Sequence, residues 1–589
     1  MDAPILGPRP HQPPIANALT ALVSFRCLCW VLFAAAALGT LFCLRQALPR
    51  LRQAADITTP DSVMVQTALW ARHGGIIYHT ATQPPYTPAV YGPLYYLALI
   101  GLSYLTGPAL APLLLAGRLF TLVCFAALAV LLWFWARRLG LPRGLALLAP
   151  GFLGSQIAFV HWDITTRPDV CALLAGAAAV YAASFAVPLQ PPQSAPRGRW
   201  GPGRGGWGMG AWAGEPLTPA IVAGLLAASG LLLKQSALAA PAVIALWFGI
   251  RQYWRALAAF AAAGIALVAA VLGALLLHGE RLGNLALLQH PYHSWSTALG
   301  IALRQLAGFG PDALLLALAL AGIAVGWRAL RWNAEPPGHH PAGWGLRTEM
   351  RAGGLMQAAT QGAWALAIGY FFLSWAWGLL TLGLNSGGGG NYLLAGWTTT
   401  ALLAAAGAAT LRPVWAATPA TARAVMILWA AGVAAAGLVT WHHCAELKPA
   451  NLASLAAVVA HRRVLTDVPY IGVHSRQPEY LDPYLLRTLE MTGRWHSGGL
   501  VAQIEQHRFA LILLDMAHGQ ANIRYRGLTR YDRRTVAAMR QAYRSYCVRK
   551  TIAVFLPGND PPSPALATAL RRAGCRPALA PVGFTSAAP

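Results

Sequence analysis

The sequence predicts a polytopic α-helical membrane protein of about eleven spans, with interfacial helices in its first outer loop and a small C-terminal extracytoplasmic α/β domain. Three observations lead there. Of the 589 residues, 56% are hydrophobic and 11% charged, with a mean hydropathy of +0.48, whereas a soluble domain carries about 25% charged residues. Apolar windows long enough to cross a bilayer recur along the first three quarters of the chain. From residue 442 the composition turns polar, and 442–589 holds 19 basic and nine acidic residues. A cytosolic enzyme and a disordered chain are both excluded.

The segment 1–20 is Pro-rich and polar and reads as a cytoplasmic N-terminal tail. The apolar run Ala21–Leu44 is too long for the hydrophobic region of a signal peptide and has no A-x-A site after it, so it is a first span. Further windows lie near 117–136, 144–161, 169–187, 217–233, 236–250, 256–277, 311–327, 360–381, 392–410 and 424–441. With the N-terminus inside, sixteen arginines fall on inner segments and nine basic residues on outer ones. That bias orients the chain as a multi-pass protein of the cell inner (plasma) membrane, N-terminus cytoplasmic and 442–589 extracytoplasmic. The net charge of +25 is therefore topogenic; arginines are scattered, no recognition module accompanies them, and no nucleic acid is expected.

Residues 45–116 form a long outer loop in which Tyr91–Leu105 is apolar, short and aromatic at one end, the pattern of an interfacial or re-entrant helix. Residues 188–216 and 328–355 read as inner loops rich in Pro, Gly, Trp and Arg. In 442–589, FALILLD (509–515) and TIAVFLP (551–557) look like buried strands among helical stretches at 451–462, 483–492, 499–507 and 535–546, with a loose tail after Gly558. Cys547 and Cys575, in an oxidising space, are candidates for a disulfide.

Outer carboxylates are few: Asp56, Asp61, Asp163, Asp169, Glu280 and Asp312. A carboxylate at a span edge faces a cavity, a partner charge or water, because facing lipid costs about 2–3 kcal/mol. Asp61 follows Pro60 and opens a helical stretch, so it is either an N-cap or a general base at the membrane surface, with Asp56 a weaker version of the same. Asp163, Arg167 and Asp169 fall within seven residues, either as a structural ion-pair cluster or as a site in which Arg167 holds an anion. Lys234, one of three lysines in the chain, sits between two apolar runs, either snorkelling or meeting a phosphate as a point charge. NSGGGGNYLLAG (385–396) lacks the Lys-Ser/Thr of a phosphate loop. His290 and His293 are interfacial rather than a metal pair, and no cysteine spacing resembles a zinc site.

In chain order stand a first span, an outer loop opening on an acidic residue, YGPLYYL, a span from GRLF to WARRLG, RPDVCALL, LLKQSALAAP and GGNYLL. That succession, over about residues 20–440, resembles the C-type glycosyltransferases. The bacterial branch similar to protein O-mannosyltransferases and lipid A aminoarabinose transferases (glycosyltransferase family 39-like) is the nearest pattern. The resemblance implies a polyprenyl-phosphate-linked sugar as donor on the outer face, without a nucleotide sugar, and a hydroxyl of a glycan, lipid or protein as acceptor. It places the catalytic base at Asp61, a second acidic position at Asp169 and the lipid-phosphate cation at Lys234. Arg167, Asp56, Asp163, Tyr91, Asn391 and Tyr392 are the expected substrate-binding residues on these motifs. No cofactor is implied with certainty; a divalent metal is left open. The chain departs from the mannosyltransferase pattern in having Asp61-Ser62 for Asp-Glu, and GPL for the HPPL-like segment. The rival expectation is a non-catalytic membrane protein, a transporter or envelope-assembly scaffold, whose outer carboxylates pair with arginines and leave no cavity.

Overall fold

The structure is a computed structural model. It describes residues 25–53, 61–78, 89–156, 159, 164–186, 217–283, 300, 312–332, 354–384, 390–421, 423–424, 452–475, 483–491, 493–516, 524–525, 528–529, 531–549, 552–558 and 561–577. The molecule is mostly helical with one small mixed sheet.

The apolar part begins with α1 (Phe25–Leu51), α2 (Asp61–Arg72), α3 (Pro93–Thr106) and α4 (Leu110–Arg138). It continues through α5 (Arg143–Ala146), α6 (Leu148–Ser155), α7 (Asp169–Ala183), α8 (Leu217–Leu233), α9 (Ala239–Ile250) and α10 (Trp254–Leu277). It closes with α11 (Ala313–Trp332), α12 (Gly354–Leu384), a 3₁₀ turn (Gly390–Leu393) and α13 (Leu394–Ala417). Among the described residues five helices are long and apolar enough to cross a membrane: Phe25–Leu51, Leu110–Arg138, Trp254–Leu277, Thr360–Leu382 and Asn391–Ala409.

The other expected windows are shorter helices or lie outside the described residues, as 425–441 does. At about 1.5 Å per residue, α7, α8 and α9 reach about 22, 26 and 18 Å, against a hydrocarbon thickness of about 30 Å. The window 144–161 is not one span: its helix breaks at Leu147, between α5 and α6, and ends at Ser155. The first span runs beyond its apolar window to Leu51, carrying Arg45 and Arg50 within α1.

α7 occupies the centre. Its sequence, DVCALLAGAAAVYAA, is nearly all small or apolar, and eleven of its fifteen residues are buried against α4, α8, α9 and α12. A helix apolar all round is one surrounded by others, and this places its first residue, Asp169, inside the molecule. Small residues set the close packing elsewhere: Gly407 of α13 lies against the Leu318 backbone of α11, leaving no room for a Cβ.

From residue 452 the chain forms α14 (Ala453–Val459), β1 (Val464–Thr466), α15 (Pro469–Gly472), α16 (Pro483–Met491), α17 (Gly498–Glu505) and β2 (Leu511–Asp515). Then come the β3–β4 ribbon (Arg524–Tyr525, Leu528–Thr529), α18 (Arg533–Ala542), β5 (Tyr543–Arg549), β6 (Ile552–Pro557), α19 (Pro564–Arg572) and β7 (Arg576–Pro577). The five-stranded sheet has the order β1-β2-β6-β5-β7; β1 and β2 are parallel and the other pairings antiparallel. Alternation along β2 and β6 explains why both strands are continuous apolar runs. Ile512, Leu514, Ala553 and Phe555 meet α16, α17 and α18 on one face, while Leu511, Leu513, Val554 and Leu556 meet α14 and α19 on the other.

Two expectations are corrected here. The helical stretch 535–546 ends at Ala542 and YRSYCVR continues as strand, pairing with β6 at Tyr543–Ser545 and Cys547–Arg549 around a bulge at Tyr546. The segment after Gly558 is not a loose tail through 577: Ser563 caps α19, with Pro564 at its first position, and Cys575 is disulfide-bonded to Cys547 of β5.

This α/β unit rests on α2, the start of α4 and the segment before α3. α15 packs on α2, Tyr470 and Ala456 meet Leu110, and Val90 packs against the core containing Leu485, Trp495 and Phe509.

Candidate active site

Four elements converge on the N-terminus of α7. The turn 164–168 is fixed to α4: Thr121 donates to the Thr165 carbonyl (2.8 Å) and Thr166 to the Leu114 carbonyl (3.2 Å). Arg167 is thereby held beside Asp169, donating from Nε to Oδ2 at 3.0 Å, and its second nitrogen donates to the Tyr91 hydroxyl at 2.6 Å. Lys234 lies where the chain breaks between α8 and α9, and its ammonium donates to Asp169 Oδ1 with Asn391 Nδ2 (2.7 Å) on the same oxygen. Tyr392, next in the 3₁₀ turn, presents its ring to the Lys234 ammonium at 4.4 Å. Asp169, Lys234 and Asn391 are all buried, at 4%, 7% and 7% exposure. Burial at this level is tolerable for charges only because each is paired and hydrogen-bonded.

The close approach of the segment before α3 to the end of α8 depends on glycine at one position. A Cβ on Gly92 would overlap the Leu232 carbonyl at the end of α8. Without it, the Gln235 side chain donates to the Val90 carbonyl (2.5 Å) and Tyr91 reaches Arg167. Burial works to lower the Arg167 guanidinium, but the Tyr91 hydroxyl and the carboxylates of Asp169 and Asp61 outweigh it and hold it above its usual range.

Beside this cluster is a cavity of about 60 Å³, room for about five water-sized groups. Asp169, Lys234, Asn391 and Tyr392 form its polar end. Ala172 and Gly176 of α7, Ala240 of α9 and Tyr370, Ser374 and Trp377 of α12 complete its lining. Trp377 is itself held by its indole N–H on the Ser236 carbonyl, at 2.7 Å.

Six expected site residues are thus brought together: Asp169, Lys234, Arg167, Tyr91, Asn391 and Tyr392. Asp61 is placed apart from the cavity lining. It is the first described residue of α2, fully buried, with Oδ2 4.0 Å from Arg118. Arg118 also donates to the carbonyls of Arg50 and Leu51 (3.2 Å each) and Gln53, so it caps the C-terminus of α1 while facing Asp61. Asp56 and Asp163 lie outside the described residues, as do His290 and His293. No group of three or more His, Cys, Asp or Glu placed to hold a metal occurs among the described residues.

The sequence did not single out the cavity residues Tyr370, Ser374 and Trp377, and it gave no role to Arg118 or Glu280 although both stand in segments it marked. Arg118 stood in GRLF and could have been weighed as a cation inside a helix had α4 been started at Leu110. Nothing in the sequence marks α12 as part of the lining.

No family model and no curated protein matches the chain. Among solved structures it is similar to ArnT from Cupriavidus metallidurans bound to undecaprenyl phosphate, at 12% identity and a TM-score of 0.49, over 90% of this chain and 99% of that one. It is also similar to the Archaeoglobus fulgidus oligosaccharyltransferase complex with Zn and sulfate, at 10% identity and a TM-score of 0.47, over 89% of this chain and 73% of that one.

Proposed function

We propose that this protein is a C-type membrane glycosyltransferase that moves a sugar from a polyprenyl-phosphate-linked donor to a hydroxyl acceptor at the outer face of the inner membrane. One observation carries the reading: a buried lysine and arginine share a single carboxylate at the wall of a cavity, and every member comes from a segment of the motif succession. Such a group is suited to a lipid phosphate. The donor is a phosphodiester with one negative charge; when the anomeric C–O bond breaks, the departing phosphate monoester gains a second. Cations already fixed in place stabilise that developing charge without reorganising.

The acceptor oxygen forms the new bond at the anomeric carbon, its proton passes to a carboxylate, and direct displacement inverts the centre. Asp169 is a poor candidate for that base, because both its oxygens are committed to Lys234, Asn391 and Arg167. Its role in this reading is to position the two cations. Asp61 remains the proposed base, and uptake of the acceptor must then draw it from Arg118. Orientation is supported by the α/β unit resting on α2 and on the N-terminal end of α4, whereas Arg137 and Arg138 end the far side of α4. The Cys547–Cys575 bond suits an oxidising compartment.

The test is the affinity of full-length protein in nanodiscs for undecaprenyl phosphate, compared among wild type, Lys234→Ala and Lys234→Arg. Loss in the first and partial recovery in the second supports the site. Equal affinity in all three removes it.

A further inference from the structure

Glu280 follows α10, in a stretch to which the reading above gives no part, yet it is 4% exposed and engages the first outer loop across 203 residues of sequence. Its two carboxylate oxygens accept one bond each from the backbone N–H groups of Ile77 (2.8 Å) and Tyr78 (2.5 Å). The Arg281 N–H returns a bond to the Tyr78 carbonyl at 2.8 Å, so residues 77–78 and 280–281 are closed into a ring of backbone contacts. The Tyr78 side chain is buried edge-on to Tyr96 and donates its hydroxyl to the Tyr91 carbonyl at 2.6 Å. Tyr91 in turn receives Arg167, and Arg167 binds Asp169.

We infer that Glu280 is a positioning residue for the anion site: through Tyr78 it fixes Tyr91, and through Tyr91 it sets where the Arg167 guanidinium lies relative to Asp169 and Lys234. This rests on the proposed lipid-phosphate site. A carboxylate accepting two adjacent backbone N–H groups orients that backbone more firmly than water would, since charge-assisted bonds are short and strong. No other described side chain accepts from Ile77 N or Tyr78 N in the hydrogen-bond network. With the clamp released, the Tyr91 carbonyl and hydroxyl shift together. Arg167 then loses the Tyr91 hydroxyl as a fixed acceptor, and the cation pair is no longer preset for a phosphate.

The experiment measures undecaprenyl phosphate affinity of full-length protein in nanodiscs for wild type, Glu280→Ala, Glu280→Gln, Tyr78→Phe, the Glu280→Ala/Tyr78→Phe double variant and Lys234→Ala, with thermal melting recorded for each. Glu280→Ala is expected to weaken binding about tenfold, and Glu280→Gln, which keeps one acceptor oxygen, by less. Tyr78→Phe removes a single hydroxyl and keeps the ring, so it tests the second link even if Glu280→Ala folds poorly. It too should weaken binding about tenfold, and the double variant should be no worse than about twofold below the weaker single, because both act along one chain of contacts. Binding equal to wild type in Glu280→Ala and Tyr78→Phe, with Lys234→Ala impaired, overturns the positioning role and leaves the site intact. Additive losses in the double variant overturn it as well. Wild-type binding in Lys234→Ala overturns the site itself.

Discussion

Asp169→Asn separates the roles of the central carboxylate. It replaces a charge shared by Lys234 and Arg167 with a neutral amide of the same shape, so two buried cations lose their common anion. Removing one partner of a buried ion pair costs about 3–5 kcal/mol, and the variant should melt at lower temperature than wild type. The same change removes a repulsion on any incoming phosphate. A single negative charge about 6 Å from the Asp169 carboxylate, at an effective dielectric of about 20, is opposed by about 3 kcal/mol, or about a hundredfold in affinity. The amide no longer positions Lys234 and Arg167 as the carboxylate does, which takes back about tenfold of that gain, and a net gain of about tenfold is expected. The assay is titration of undecaprenyl phosphate onto wild type and Asp169→Asn in nanodiscs, with melting followed at each concentration. The variant should start less stable, bind more tightly and recover more of its stability on saturation. Affinity equal to or weaker than wild type would refute the idea that Asp169 occupies the neighbourhood of the ligand anion.

Asp61→Asn, compared per folded molecule, should lower sugar transfer by about 10²-fold or more if Asp61 is the base; melting recorded alongside separates this from loss of the buried Asp61–Arg118 pair, and retained turnover moves the role to Asp56. Gly92→Ala sets a Cβ on the Leu232 carbonyl and should push the 89–92 segment off α8, costing about 1–3 kcal/mol and weakening lipid-phosphate binding, which thermal melting and titration read out together. In the α/β unit, burial tends to raise Asp532, but bonds from the Thr535 hydroxyl and the N–H groups of Thr535 and Arg534 outweigh it and hold the carboxyl below its usual range. A depressed folded value contributes stability above the unfolded value of about 4 that is lost as pH falls below it. Asp532→Ala should therefore cost about 1 kcal/mol at neutral pH and flatten the acid limb of the melting curve.

The parts of the site legible in the sequence were those where a polar residue interrupts an apolar run. In a chain this hydrophobic, Asp169 at the start of α7, Lys234 at the α8–α9 break and Asn391 in the 3₁₀ turn before α13 can be buried only beside one another. Their convergence follows from the cost of leaving any of them in lipid. Arg118 was less visible because it stood at the edge of the apolar window 117–136, whereas α4 begins seven residues earlier and carries Arg118 inside the molecule as the cap of α1. The clamp by Glu280 was invisible for a different reason. It acts on backbone N–H groups, and those of Ile77 and Tyr78 look like any others in sequence. In the α/β unit, β2 and β6 announced themselves as continuous apolar runs, while β5 was hidden by its arginines and α19 by its Pro-rich approach, although Ser563-Pro564 is a helix-start signature.

The cluster at the head of α7 is proposed to serve transfer of a sugar from a polyprenyl phosphate. The most direct measurement supplies purified full-length protein in liposomes with a mixture of polyprenyl-phosphate-linked sugars and hydroxyl acceptors, and follows release of free polyprenyl phosphate by mass spectrometry. Release that requires an acceptor, leaves an inverted linkage and disappears in Lys234→Ala is the expected result. Acceptor-independent release, or release undiminished in Lys234→Ala, would contradict the account.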